Sequence, residues 1–110
     1  MDLARLQEAI DQGWMHVCNT PGYLSQREAR FIMTALALAP AQGANVEIGS
    51  FKGRSTVGLG TVARMLELEP VHAIDPHTSP SATDPDLHGA ATSYDEFIAH
   101  IGRTGSSTHV

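Results

Sequence analysis

VEIGSFKGRST, Val46 to Thr56, sets Gly49 and Gly53 among an acid, a lysine, an arginine and two hydroxyl residues, and its reading decides the fold of the chain. The residues that lead into it, ANVEIGS, are too few for a helix and are bounded by turn formers. They predict a buried strand of about five residues. Beyond the glycines, Ser55 or a neighbour is placed to cap a helix whose inward face is Leu59, Val62, Ala63 and Leu66, spaced i, i+3, i+4, i+7. Gly58 and Gly60 each cost that helix about 1 kcal/mol relative to alanine, which predicts close packing, against its own sheet. Pro70 ends the helix, and VHAID, Val71 to Asp75, predicts a second short apolar strand. Strand, helix and strand within about 30 residues form a βαβ unit, with parallel strands and a right-handed crossover.

Working outward toward the N-terminus, Leu3, Leu6 and Ile10 recur at helical spacing behind Asp2, a candidate N-cap, and predict a helix over 2–12 that Gly13 ends. CNTPGYL is a turn. Ser25 and Glu28 have capping-box spacing, followed by Ala29, Ile32, Met33 and Leu36 on one face, so a second helix is predicted that stops near Pro40. Toward the C-terminus, PHTSPSATDPDLHG, residues 76–89, is a loop with three prolines. Ser93 and Glu96 repeat the capping-box spacing ahead of a last helix with Tyr94, Phe97, Ile98 and Ile101 on its apolar face. GRTGSSTHV carries no pattern that predicts an element.

Composition excludes several classes of function. The 110 residues, 42% apolar and 17% charged, suit one globular domain. A net charge of -5, with Lys and Arg scattered, argues against nucleic acid as a partner. One cysteine, Cys18, excludes an internal disulfide framework and a multi-cysteine zinc site. No apolar run reaches the roughly 20 residues of a membrane span, and the N-terminus is charged and amphipathic, unlike a signal peptide. A cytoplasmic protein without membrane or nucleic-acid partners is expected.

Three nucleotide loops compete for the glycines. A phosphate-cradling loop of the GxxxxGK type needs one more residue than Gly49 to Gly53 provides, and Arg54 stands in place of its lysine. A dinucleotide fingerprint, GxGxxG, needs a glycine where this chain has Phe51, whose side chain obstructs the approach of a pyrophosphate; an NAD-type binder is the weaker alternative. The third pattern, ExGxxxG, is met by Glu47, Gly49 and Gly53. An acid at that place suits a cationic ligand better than a phosphate.

VEIGSFKGRST followed by AIDPH resembles the class I S-adenosylmethionine-dependent methyltransferases, and within them the small O-methyltransferase-like group. The resemblance implies an α/β fold with a Rossmann-like parallel sheet in three αβα layers, here the first βαβ unit plus N-terminal helices. It implies that the glycine loop wraps the methionine part of the cofactor and that an acid ending the second strand binds the ribose hydroxyls. Asp75, 22 residues past Gly53, fills that place. The cofactor site so implied is Glu47, Gly49, Ser50, Phe51, Gly53, Ser55, Thr56, Asp75, Pro76 and His77. In it Glu47 and Asp75 are the acids, Gly49, Ser50 and Phe51 line the amino-acid end, Ser55 and Thr56 offer the amides and dipole of a helix start, and Pro76 and His77 border the adenosine. The acceptor is expected to be a small molecule methylated on oxygen; no catalytic base and no metal ligand is assigned.

Plainer readings stand beside these. Glu47 can be a strand end paired with Arg54, and Asp75 before Pro76 can be a turn former. His72, His77 and His88 lack ligand spacing and read as solvated or hydrogen-bonded. Cys18 reads as a small buried hydrophobe. The resemblance covers 22–110, with 1–21 as a preceding helix and turn, and spans only the N-terminal half of a methyltransferase domain. An apolar strand with one side of its ladder unpaired invites another chain. A fragment is the expectation; a remainder supplied by a partner, or a homo-oligomer formed through the sheet edge as a non-catalytic module, are the alternatives.

Overall fold

The structure, a computed structural model, describes residues 2–40, 42–50, 52–77 and 93–110. Among the described residues four helices and two strands follow one another as α1 (Leu3–Cys18), α2 (Gln26–Leu38), β1 (Asn45–Ile48), α3 (Arg54–Met65), β2 (Val71–Ile74) and α4 (Tyr94–Arg103). The strands are parallel, with Asn45 opposite Val71 and Ile48 opposite Ile74. The predicted βαβ unit is therefore present. The 76–89 loop lies almost wholly outside the described residues, as do Phe51 and His88.

α1 does not stop at Gly13. Asp2 caps it by accepting the Ala4 amide at 2.9 Å, and the helix runs on to Cys18. Gly13 is buried because α1 crosses the other helices there: a Cβ on it would sit 2.4 Å from Met33 Sδ and 3.3 Å from the Gly58 carbonyl. The glycine thus marks a close approach rather than a terminus. Leu3, at 76% exposure, lies outside the face that Leu6 and Ile10 begin. Cys18 is exposed and donates its thiol to the Met15 carbonyl, so it is not a core residue.

α2 begins on the expected capping box, with Ser25 N donating to Glu28 Oε1 at 3.0 Å and Glu28 N to Ser25 Oγ at 3.2 Å. α3 is the hub. Its buried residues run from Thr56 through Gly58 and Gly60 to Ala63, nearly all round the helix. A Cβ on Gly58 would meet Val17 Cγ2 at 2.6 Å, and one on Gly60 would meet Val110 Cγ2 at 2.8 Å. The close packing read from these glycines exists, but its partners are α1, α2 and the C-terminal tail instead of the sheet. Ala9, Ile10, Val17, Ala29, Met33, Val57, Val62, Phe97 and Ile101 share the core around it.

α3 ends five residues before Pro70. The Leu68 amide reaches back to the Ala63 carbonyl at 2.8 Å and the Glu67 amide to the Arg64 carbonyl, while Glu67 adopts φ 57. That is a Schellman closure with a non-glycine residue in the left-handed position. α4 closes in the same way on Gly105 (φ 71), with Ser106 N donating to the Ile101 carbonyl. Gly105 is the helix-stop signal within GRTGSSTHV, a stretch that otherwise carries no periodic pattern.

The strands were expected to be buried on both faces, and they are not. Exposure alternates: Val71 is 2% exposed, whereas Val46, Ile48 and Ile74 are 53%, 83% and 56% exposed. Among the described residues the helices cover one face of a two-stranded sheet and leave the other open. The described residues are α/β in two layers, compatible with part of a Rossmann-like unit.

Candidate functional site

Parallel strands bring the loops that follow them to one end of the sheet. Gly49 extends the ladder past Ile48 by donating its amide to the Ile74 carbonyl at 2.8 Å, so Asp75 leaves β2 beside Gly49. Glu47, on the covered face, is half-buried, and its two carboxylate oxygens accept the hydroxyls of Ser55 and Thr56 in the first turn of α3. An acid there also complements the positive end of the helix dipole. Ser55 is not the N-cap; Gly53 is, at φ 93. Each oxygen of Glu47 retains capacity to accept a further donor.

Arg54 does not pair with Glu47. Its Nε and Nη2 donate to the Leu24 carbonyl at 2.8 and 2.7 Å, and its Nη1 donates to the carbonyls of Val17 and Thr20 at 2.8 and 2.7 Å. The guanidinium fork therefore gathers the end of α1 and the turn that follows it onto the start of α3. Lys52, 4% exposed, holds its ammonium 3.2 Å from Glu96 Oε2. Its carbonyl accepts from His100 Nδ1 at 2.6 Å, so that nitrogen carries the proton. Glu96 and Ser93 are thus used tertiarily, and the capping box expected at α4 does not form: Ser93 Oγ bonds His77 Nδ1 at 2.9 Å instead.

Ser50 is 3% exposed, and its hydroxyl has no partner among the described residues. A buried hydroxyl without a partner costs about 1–3 kcal/mol, which makes it a candidate ligand contact. Between Gly49, Ser50 and Ser55 on one side and the turn of Pro21, Gly22, Tyr23 and Leu24 on the other lies a cleft of about 180 Å³.

At the end of β2, Asp75 Oδ1 accepts the His77 amide at 2.7 Å, the local bonding of a turn former. His77 holds φ 60, an uncommon value for a side-chain-bearing residue, and its ring centroid lies 5.0 Å from that of Phe97. Pro76 is exposed. The structure therefore gathers Glu47, Gly49, Ser50, Gly53, Ser55 and Thr56 at the β1–α3 turn and sets Asp75, Pro76 and His77 at the neighbouring strand end. Phe51 lies outside the described residues. Arg54, Lys52 and His100, which also shape the loop, were not readable as site residues, because their partners lie 34, 44 and 48 positions away in the cases of Thr20, Glu96 and Lys52.

Among the described residues no group of three or more His, Cys, Asp or Glu side chains could hold a metal ion. No helix among them is long and apolar enough to cross a membrane. No family model matches the chain, and a comparison with curated proteins finds no match.

Proposed function

We propose that the chain is the cofactor-binding half of an S-adenosylmethionine-dependent methyltransferase that acts on an oxygen of a small-molecule acceptor. The observation that carries the reading is the placement of two acids on adjacent parallel strands, Glu47 as the penultimate residue of β1 and Asp75 just past β2 beside Gly49, next to a loop whose buried Ser50 hydroxyl is unpartnered. A ligand with an ammonium group, a carboxylate and a ribose diol asks for such donors and acceptors. Glu47 would take the ammonium, Ser50 and the free amides at the start of α3 the carboxylate, and Asp75 the ribose hydroxyls. When bound, the cofactor supplies an electrophilic sulfonium methyl group for in-line transfer. This chain's residues hold and orient that ligand, and positioning is the catalytic device assigned to them.

Calorimetric titration with S-adenosylhomocysteine, with NADH and ATP as controls, tests the reading. Binding of S-adenosylhomocysteine alone supports it; binding of NADH without S-adenosylhomocysteine overturns it. Asp75→Ala should weaken S-adenosylhomocysteine by about 1–3 kcal/mol, the value of a charge-assisted hydrogen bond. Undiminished affinity would remove Asp75 from the ligand site. A second reading, a non-catalytic module that assembles through its sheet, draws on the open apolar face of Val46, Ile48 and Ile74, and it gains if none of the three ligands binds.

A further inference from the structure

We propose that the turn Pro21–Leu24 is the second wall of the ligand cleft and that Arg54 is the residue that positions it. This rests on the methyl-donor reading of the same cleft. Four hydrogen bonds from one guanidinium to the carbonyls of Val17, Thr20 and Leu24, all between 2.7 and 2.8 Å, fix the turn to the residue that follows Gly53. The stem of Arg54 takes part as well: a Cβ on Gly22 (φ 151) would lie 2.7 Å from both Cβ and Cδ of Arg54, so only glycine lets the turn close over it. Tyr23 is left 77% exposed beside a cleft whose other side carries the unpartnered Ser50 hydroxyl.

Such an arrangement sets the width of the cleft before a ligand arrives. A preformed wall spares binding the cost of ordering a loop, so releasing it weakens affinity without touching the groups that face the ligand. Arginine suits the task because its planar fork spans three carbonyls, whereas lysine presents a point charge.

The test compares wild type with Arg54→Met, Gly22→Ala and Tyr23→Ala, by S-adenosylhomocysteine titration, amide exchange of residues 19–25 and melting temperature. Arg54→Met and Gly22→Ala should speed exchange in 19–25 about tenfold or more while the α2 amides stay protected, and should raise Kd about tenfold. Tyr23→Ala should raise Kd about threefold with exchange unchanged. Gly22→Ala retains the guanidinium group itself and keeps the test open if Arg54→Met fails to fold. A purely structural Arg54 would lower the melting temperature and leave Kd of the folded protein unchanged, which overturns the proposal. Unchanged exchange in 19–25 overturns it too. If wild type itself does not bind S-adenosylhomocysteine, the methyl-donor reading has failed first and the wall falls with it. Wild-type binding with unaltered variants removes the wall alone.

Discussion

At the scale of single residues, glycine meaning depends on what its missing Cβ would touch. Gly58→Ala gains about 1 kcal/mol of helix propensity. It also pushes a methyl group to 2.6 Å from Val17 Cγ2 and 3.2 Å from Met33 Sδ, where α1 and α2 cross α3. Overpacking a site of that kind costs about 1–3 kcal/mol, so the net change should be destabilising. Gly102, inside α4 with nothing within 4 Å, carries no such conflict. Gly102→Ala should stabilise by about 0.5–1 kcal/mol, and urea denaturation of the two variants should move in opposite directions. His16 makes a second prediction. Burial, then the positive charges of Arg64 and Arg103, hold its pKa below the ordinary histidine value. Its folded-state pKa is depressed, so the unfolded chain binds the proton first as pH falls through about 6.5, and stability drops there. Above that pH the ring is neutral in both states and nothing is lost. His16→Gln should flatten this part of the stability–pH curve, as measured by denaturation at a series of pH values; an unchanged slope would remove His16 as its source.

At the scale of elements, the ends of helices separate what local chemistry decides from what packing decides. Ser25 and Glu28 form their box because both partners are local and exposed, which is why α2 could be read from its sequence. Ser93 and Glu96 have the same spacing, yet His77 and Lys52 compete for them and win. The βαβ unit, its parallel strands and the grouping of Glu47 with the glycine loop were legible because they follow from period, punctuation and order along the chain. The length of α1, the clamp on Arg54 and the buried Lys52 were not, since each depends on contacts between residues distant in sequence. Gly13 illustrates the limit: a helix stop and a helix crossing use the same letter. Glu67 gives the prediction proper to this scale. It occupies the left-handed C′ position of α3 at φ 57, where glycine avoids the Cβ conflict. Glu67→Gly should therefore stabilise the protein by about 0.5–1 kcal/mol despite the greater freedom of glycine in the unfolded chain. A fall in melting temperature would show that the Glu67 side chain contributes more than the strain.

At the scale of the whole molecule, the two-stranded sheet is the part of the described structure with an apolar face left exposed. Its covered face is held by Val71 and Ala73 against the helices, while Val46, Ile48 and Ile74 stand together on the other. Along β1 a groove of about 320 Å³, lined by Ile32, Leu36, Val46 and Leu59, continues the apolar surface. Edge strands that proteins leave exposed are usually guarded by charge, proline or a bulge, and β1 at Val46 and Ile48 presents none of these on its open face. The 11.7 kDa chain should therefore associate with rising concentration, its weight-average mass in sedimentation increasing above the monomer value. Ile48→Lys places a charge on the most exposed of these side chains, where it disturbs no core contact. The substitution should hold the protein at the monomer mass and change folding stability by no more than about 0.5 kcal/mol. Wild type that stays monomeric across the concentration range would show that the face is tolerated in water, and association that Ile48→Lys leaves intact would place the contact elsewhere on the surface.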